Sequence, residues 1–414
     1  MSTEIVHINK LVAGGQGLGD LADGRKIFVW GGLPGETVEV KITSEKKSYA
    51  EGEVVRVVTA SKNRVEPKEA NYLDTSPWQI TTIAAENAYK TAIVQELYER
   101  AHVSVQTLAD AVCVGEDYGY RNNYMFRFCH DTNGDLSLAT VERSSNTLVP
   151  VEGSVLAMSQ INTAAQQILA ELQKLHIKPS TLRTLELRCN QAGTVVASLV
   201  IQQKHMPKLH LPSALQGLQV SYRGRNTKLE QLYTVGTLDL HDTLLGKNFG
   251  YDIDSFFQVN VPVYEKALQD MHSLGTDSLV DMYAGVGTIG LSLAKKEVVL
   301  VESNAASAAW AAKNLATSGL KGDAVRARSE RALAHIVSGK TVVFDPPRAG
   351  LDKAIIDRLL EVKPNQILYL SCDPATQARD VARLASDYTV SYMSVYNFFP
   401  HTPHIEVLVE LTKQ

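Results

Sequence analysis

Hydrophobic and polar residues alternate differently in three successive parts of the chain. In residues 1–58, short runs alternate with a period of two, as at positions 38–42 and 53–58. That period is typical of half-buried strands. Glycine pairs such as Gly14-Gly15 and Gly31-Gly32 are suited to the tight turns between them. The pattern predicts a small, OB-like β-barrel over residues 1–58.

The middle part, residues 59–250, mixes helical and strand periodicity. Helical spacing is found at 83–101 and again at 155–175, where Ile161, Ala164, Ile168 and Leu172 share one face. Strand-like runs occupy positions 124–128, 136–141, 182–187 and 194–201. Clustered strands with a helix between them predict an α+β central domain, whose helix near 83–101 is free to pack on the domain that follows.

From residue 251 to 414, short apolar runs alternate with helical stretches. The runs are at 278–282, 298–301, 341–344 and 367–370, and a further run at 407–411 ends the chain. Strand–helix alternation predicts a parallel sheet with helices on both faces, a Rossmann-like α/β domain. Ligands of such sheets bind at the carboxyl ends of the strands.

The composition is that of an ordinary globular protein, with 44% hydrophobic residues, 21% charged residues and a net charge of −4. A chain this acidic does not coat nucleic acid non-specifically, so a nucleic-acid site must be a local patch. No apolar run approaches the roughly 18 residues of a membrane span, and the N-terminus lacks a signal-peptide pattern. The four cysteines are dispersed, which predicts neither disulfides nor a metal site. This cysteine usage also predicts a cytoplasmic location.

Two segments are compatible with RNA contact on their residue types. Lys41, Lys46, Lys47 and Arg56 form either an RNA-binding surface or a solvated face of the barrel. Residues 118–128 interleave aromatic side chains with arginines, which can stack on bases and meet phosphates. Without further context, an ordinary strand with one buried face is the favoured explanation of the second segment.

A glycine-rich loop follows the run at 278–282. Residues 285–290 fit G-x-G-x-x-G, and Glu302 ends the next strand, 21 residues after Asp281. Glycines allow a ligand to approach the backbone closely, and the carboxylate can bind a ribose diol. The pattern predicts a nucleoside cofactor, either a nicotinamide dinucleotide or S-adenosylmethionine.

Three further residues are candidates for chemistry at the same sheet edge. Asp345 follows the run at 341–344 and is held by two prolines. Cys372 ends the next run and precedes Asp373-Pro374, a helix start that predicts a lowered thiol pKa. Glu406 directly precedes the final run at 407–411 and is the candidate general base. His401 and His404 are interpreted as structural or RNA-facing, because no carboxylate or cysteine cluster supports a metal site.

In combination these motifs resemble the RNA uracil-5 methyltransferase family over nearly the whole chain. Residues 27–36 resemble its TRAM domain, an RNA-binding barrel. Asn123 departs from the family pattern, where lysine is usual, and Ala284 replaces a cysteine. The matching motifs are Tyr120-Arg121-Asn122, Phe256-Phe257-Gln258-Val259-Asn260, Asp281-Met282-Tyr283-Ala284-Gly285-Val286-Gly287, Asp345-Pro346-Pro347-Arg348, Ser371-Cys372-Asp373-Pro374-Ala375-Thr376 and the stretch ending in Glu406.

The resemblance implies the chemistry of the site. S-adenosylmethionine would be the methyl donor, and Cys372 would add to carbon 6 of uracil so that carbon 5 becomes nucleophilic. Glu406 would then remove the proton from carbon 5. The implied cofactor-binding residues are Gln258, Tyr283, Gly285, Gly287, Glu302 and Asp345.

The resemblance also implies a partner, RNA, and a monomer. A TRAM-like barrel is commoner among ribosomal RNA enzymes, which favours large-subunit ribosomal RNA over transfer RNA as the substrate. Many relatives hold an iron–sulfur cluster on four cysteines, but residues 61–90 contain none, so we expect no cluster.

Two other classes share part of the pattern. An NAD-dependent oxidoreductase would use the glycine loop and Glu302 but would leave Cys372 and Asp345 without a role. A non-catalytic RNA-binding protein would use the barrel without needing Cys372 or Glu406.

Overall fold

A closed five-stranded barrel forms the N-terminal part of the computed structural model, which describes residues 3–143, 145–275 and 277–414. Its core contains the alternate residues Val6, Ile8, Val38 and Val40, which confirms the period-two pattern. The strands are β1 (Thr3–Leu11), β2 (Gly17–Asp20), β3 (Lys26–Trp30), β4 (Thr37–Glu45) and β5 (Tyr49–Thr59), in the spatial order β1-β2-β3-β5-β4.

Two helices connect the barrel to the rest of the chain, α1 (Tyr72–Thr75) and α2 (Ile83–Arg100). Thr82 caps α2 by accepting a hydrogen bond from the Ala85 N–H. The Tyr98 hydroxyl donates to Gln377 Oε1 at 3.0 Å, and the buried face of α2 joins the core of the C-terminal domain. The helix therefore attaches the barrel to the C-terminal domain.

The central domain is a seven-stranded sheet with one long helix, α3 (Ser159–Lys174), packed on it. The helix begins at Ser159, four residues later than the pattern at 155–175 predicts. The strands are β6 (Asn123–His130), β7 (Leu136–Val141), β8 (Leu148–Pro150), β9 (Leu182–Cys189), β10 (Val195–Ile201), β11 (Gly217–Tyr222) and β12 (Glu230–Gly236). A short 3₁₀ turn, Pro179–Thr181, precedes β9.

A hairpin of β13 (Leu240–Leu244) and β14 (Lys247–Tyr251) follows. Phe249 and Tyr251 pack into the same core as Leu268 and Leu279 of the C-terminal domain. The structure thus places this hairpin with the C-terminal domain, whereas a boundary at residue 250 would cut β14.

The C-terminal domain is a seven-stranded sheet with helices on both faces. Its strands are β15 (Ser278–Asp281), β16 (Glu297–Glu302), β17 (Lys321–Arg326), β18 (Thr341–Phe344), β19 (Gln366–Ser371), β20 (Tyr388–Tyr396) and β21 (Glu406–Lys413). Its helices are α4 (Val261–Ser273), α5 (Thr288–Leu293), α6 (Ala305–Ser318), α7 (Lys353–Val362) and α8 (Pro374–Leu384), with 3₁₀ turns at Ser329–Arg331 and Leu333–His335.

The strand order of this sheet is β17-β16-β15-β18-β19-β21-β20. The first five strands are parallel and include the four predicted from the sequence, whereas β17 was not predicted. β21 is antiparallel to both β19 and β20. At this edge β20 and β21 form a long antiparallel hairpin, which the strand–helix pattern did not predict. None of the helices in the described ranges has the length and apolar character required to cross a bilayer.

Candidate active site

The glycine-rich loop between β15 and α5 is held by two carboxylates. Asp281 is fully buried and accepts hydrogen bonds from the N–H groups of Gly290, at 3.0 Å, and Tyr283, at 3.3 Å. Glu302, at the end of β16, accepts from the Gly285 N–H at 2.9 Å. The loop conformation is therefore fixed by side chains at the ends of adjacent parallel strands.

A cavity opens above this loop, and four of the six predicted cofactor residues line it: Gln258, Tyr283, Gly285 and Asp345. Glu302 is not among the lining residues, but its carboxylate accepts a hydrogen bond from the backbone N–H of Gly285, which is one of them. Gly287 lies behind the loop at φ +93°, where an added Cβ would come within 3.0 Å of Leu291 and Leu300. The lining residues missed by sequence reasoning include Tyr264 and Thr288, whose hydroxyls are 2.6 Å apart.

Cys372 and Glu406 meet at the end of one strand pair. In the antiparallel ladder of β19 and β21, Ser371 lies opposite Val407. Cys372 is the next residue after Ser371 and Glu406 the residue before Val407, so they are neighbours where the ladder ends. Asp345 follows Phe344, which pairs with Tyr369 on the other side of β19. The sheet thus brings together the three residues predicted to carry the chemistry.

The environment of Cys372 raises the pKa of its thiol to about 12. Burial is the largest cause, the Glu406 and Asp345 carboxyls add to it, and Arg348 acts in the opposite direction. The prediction of a lowered pKa is therefore wrong. The helix start is present as predicted, but Asp373 caps it by accepting from the Thr376 N–H at 2.9 Å, which leaves less of the helix dipole for the thiol.

Glu406 is buried and Asp345 is half-buried, and the two carboxyls repel each other when ionised. Burial raises the pKa of Asp345 to about 7, opposed by a 3.4 Å hydrogen bond from the Gln258 amide. Burial and the Asp345 charge raise the pKa of Glu406 well above its usual range, while Arg348 and Lys90 oppose this shift. Glu406 Oε2 has no hydrogen-bond partner in the part of the chain that the structure describes. This carboxyl is thus poised to take up a proton.

Cys372 faces a second cleft of about 550 Å³, at the junction of the barrel and the C-terminal domain. The Arg143 guanidinium lies 3.9 Å from the centre of the Trp30 ring, and the Trp78 indole donates to the Gly15 carbonyl at 2.9 Å. These contacts fix the barrel at the cleft. The lining includes Ala13, Gly14 and Trp30 from the barrel and Arg348, Cys372, Thr402 and His404 from the C-terminal domain.

Segment 118–128 supports the site rather than lying open to solvent. β6 buries Phe126 and Phe128, as an ordinary strand does. The Tyr120 hydroxyl donates to the Pro400 carbonyl at 3.1 Å, and the Asn122 amide donates to the Gln258 carbonyl at 2.9 Å. The central domain thereby holds both the Gln258 segment and the loop that leads to Glu406.

The two histidines before Glu406 have different environments. His401 is buried and stacks on Tyr118 with ring centres 4.1 Å apart, so it is structural. His404 is exposed, lines the cleft and accepts a hydrogen bond from Arg348 at 3.2 Å. Among the described residues, no group of three or more His, Cys, Asp or Glu side chains could hold a metal ion.

Comparison with known proteins identifies the family. Residues 88–414 match the sequence profile of the tRNA (uracil-5-)-methyltransferase family, and residues 2–55 match the TRAM domain. The chain belongs to the tRNA (uracil-5-)-methyltransferase family. It is an RNA uracil-5 methyltransferase that uses S-adenosylmethionine, and the oxidoreductase and non-catalytic alternatives are set aside.

Relatives match over almost their full length. An uncharacterized RNA methyltransferase of Lactiplantibacillus plantarum is 29% identical over 99% of this chain and 97% of its own. One from Gloeobacter violaceus is 28% identical over 99% and 96%. The crystal structure of the Pyrococcus abyssi tRNA (uracil-54, C5)-methyltransferase with S-adenosyl-L-homocysteine has a TM-score of 0.79 and 23% identity, covering 99% of this chain and 100% of that chain. The last similarity establishes the fold.

The residues around the first cavity fit S-adenosylmethionine. Gly285, at φ +55°, faces open space, since an added Cβ would meet only the Phe256 carbonyl oxygen, 4.0 Å away. A nucleoside can therefore approach the backbone there. The Glu302 carboxylate keeps lone pairs for ribose hydroxyls, and the polar side chains of Gln258 and Asp345 lie on the same cavity.

Replacing Glu302 by glutamine should weaken binding of S-adenosyl-L-homocysteine about 10–100-fold, because a hydrogen bond to a charged acceptor contributes about 1.5–3 kcal/mol. The loss is measured by titration calorimetry. Glu297→Gln, at the exposed start of the same strand, is the matched control and should bind normally. Normal binding by Glu302→Gln would contradict the assignment of Glu302 to the cofactor.

The free energy of unfolding should fall as pH rises from about 4 to about 7, and Asp345→Asn should reduce this fall by about 1 kcal/mol or more. The folded protein holds the Asp345 proton up to a pKa of about 7, above the ordinary value of 3.8. Between these values the folded state binds more protons than the unfolded state, so raising the pH favours unfolding. Urea titrations at pH 5 and pH 8 measure the effect, with exposed Asp323→Asn as control. The same pH dependence of the free energy of unfolding in Asp345→Asn and in the natural protein would refute a raised pKa of Asp345.

Proposed function

We propose that this methyltransferase forms a covalent bond between the Cys372 sulfur and carbon 6 of a target uracil, and that Glu406 is the general base. The observation that supports this most strongly is the placement of Cys372, which faces the cleft, beside Glu406 at the end of the β19–β21 ladder. Asp345 lines the cofactor cavity and follows β18, which pairs with the strand that ends at Ser371. The cofactor cavity and Cys372 therefore lie at the same edge of the sheet.

The bonds change in a balanced sequence. The Cys372 sulfur bonds to carbon 6, and the electrons of the 5,6 double bond move towards the carbon 4 oxygen as an enolate. S-adenosylmethionine supplies an electrophilic methyl group on a sulfonium. Once carbon 5 is methylated, Glu406 removes its proton, the double bond re-forms and the carbon 6–sulfur bond breaks. Cys372 leaves as a thiolate and regains a proton.

The raised pKa of Cys372 requires that attack be coupled to loss of the thiol proton. A neutral thiol is a weak nucleophile at neutral pH. The charges of Asp345 and Glu406 both act on the thiol. Asp345 in its ionised form accepts the thiol proton, which leaves Glu406 unprotonated for its later role as the base at carbon 5. Arg348 favours the thiolate from the other side. Activation therefore depends on the ionised Asp345 carboxyl, which lines the cofactor cavity.

The target base must leave its stack to reach Cys372, which is recessed in the cleft. Barrel residues Gly14 and Trp30 line that cleft together with Cys372. We infer that the barrel contacts the RNA next to the extruded nucleotide, consistent with its match to the TRAM domain.

As the target we propose a uridine of large-subunit ribosomal RNA, with transfer RNA as the second candidate. The barrel favours ribosomal RNA, and the fold shared with the Pyrococcus abyssi tRNA enzyme favours transfer RNA. Transcripts of both RNAs are incubated with the enzyme and methyl-labelled S-adenosylmethionine, digested to nucleosides and separated. Labelled 5-methyluridine from the ribosomal transcript is expected; label at any other nucleoside would refute uracil-5 methylation. The monomeric state, the cytoplasmic location and the lack of an iron–sulfur cluster stay predictions.

A further inference from the structure

Five cations cluster on two loops of the central sheet. Between Gln202 and Leu229 the chain has the lysines and arginines Lys204, Lys208, Arg223, Arg225 and Lys228 and no acidic residue, although the whole protein has a net charge of −4. All five are exposed. We call these five residues the distal basic surface.

The two loops are brought together by strand pairing. β10 and β11 are parallel, and their last pair is Ile201 with Tyr222. The loop with Lys204 and Lys208 begins directly after Ile201, and the loop with Arg223, Arg225 and Lys228 begins directly after Tyr222. The Arg223 N–H donates to the Ile201 carbonyl at 2.9 Å. The cations therefore share one end of the sheet.

That end is the one away from the catalytic domain. Arg188 on β9 donates to the Ser255 carbonyl of the C-terminal part of the chain at 2.5 Å, and it pairs with Val196 near the start of β10. From Val196 to Ile201, β10 runs five residues further, about 17 Å at 3.3 Å per residue, and the loops that carry the cations continue beyond that strand end. The distal basic surface is thus roughly 20 Å from the contact between the two domains.

Most of the positive charge on this surface is not neutralised. Lys204 pairs with Glu230 at 2.7 Å, and Lys208 lies 5.5 Å from the centre of the Tyr233 ring. Within the described ranges, Lys208, Arg223, Arg225 and Lys228 form no ion pair. Unpaired, closely spaced cations on exposed loops are suited to phosphate groups.

We propose that the distal basic surface binds phosphates of the substrate RNA about 20 Å from the domain contact that supports the active site. The enzyme then recognises an extended, folded RNA and not only the strand that carries the target uridine. This rests on the proposed function, because the bound RNA must at the same time place a uridine at Cys372.

The test compares two double variants. Arg225→Glu/Lys228→Glu reverses two distal cations. Lys295→Glu/Lys321→Glu is the matched control, since both lysines are exposed at the amino ends of β16 and β17, opposite the edge that carries the site. The probes are a full-length transcript that the unmutated enzyme methylates and a fragment that contains its target uridine but is too short to extend 20 Å.

The distal variant should bind the full-length transcript about tenfold or more weakly, with the slope of log Kd against log salt reduced by about 2, because each lost phosphate contact removes about 0.7–0.9. Its methylation of the fragment should equal that of the unmutated enzyme. Equal affinity of the distal and control variants for the full-length transcript, or equal losses on both RNAs, would overturn the inference. No 5-methyluridine from the unmutated enzyme would instead refute the proposed function.

Discussion

Replacing Cys372 by alanine is expected to lower the rate of methyl transfer by about four orders of magnitude or more, as removal of a covalent nucleophile does in other enzymes. Without the sulfur, carbon 6 receives no nucleophile and carbon 5 is not activated. Binding of S-adenosyl-L-homocysteine should be unchanged, since Cys372 lies outside the cavity lined by Gln258 and Gly285. Label transfer to RNA and calorimetry measure the two properties on the same preparation.

Cys129→Ala is the matched control, because Cys129 is also a partly buried free cysteine but lies on β6 of the central domain. It should retain full activity. If Cys372 were only a packed residue at a strand end, its replacement would lower thermal stability and leave turnover nearly intact. Methyl transfer to uridine by Cys372→Ala at a rate near that of the natural protein would refute covalent catalysis.

Glu406→Gln is expected to lower turnover about 10²–10⁴-fold, the range of a general base, and to accumulate a methylated adduct of RNA and protein. Attack by Cys372 and methylation precede proton removal, so the variant should stop after methylation and before loss of the carbon 5 proton. The adduct is detected as RNA that migrates with the protein under denaturing conditions. In this variant, unlike Cys372→Ala, the RNA contains the transferred label.

The control for this variant is Glu410→Gln on the same strand. Glu410 is also largely buried, but it binds the Gln366 amide at 2.7 Å and the Ser391 hydroxyl at 2.8 Å, towards the opposite end of β21. It should give no adduct. If Glu406→Gln turned over slowly without any trapped RNA, Glu406 would not act after carbon–sulfur bond formation.

The sequence was most informative where short apolar runs end in chemically distinctive residues. The run at 341–344 matches β18 residue for residue, and Asp345 lies at its carboxyl end as predicted. Cys372 and Glu406, both selected from the sequence, lie opposite each other at the end of the β19–β21 ladder, and their catalytic roles stay predictions. Local patterns sufficed here because each motif is fixed by its own strand and turn.

Features that depend on long-range pairing could not be predicted. Whether β21 runs parallel or antiparallel to β19 is decided by the hairpin it forms with β20, not by its own residues. The raised thiol pKa arises from burial and from Asp345 and Glu406, which are remote in sequence. Nor does any local signal in Trp30 indicate that the barrel reaches the Cys372 cleft.

The most direct test of the central claim uses the unmutated protein with RNA in which the target uridine is replaced by 5-fluorouridine. Fluorine on carbon 5 cannot be removed by Glu406 as a proton is, so the reaction should stop at the methylated adduct. Digestion and mass spectrometry should find one peptide, containing Cys372, bonded to a methylated fluorouridine. Release of free RNA with no bonded peptide, or a bond to a different residue, would contradict the mechanism.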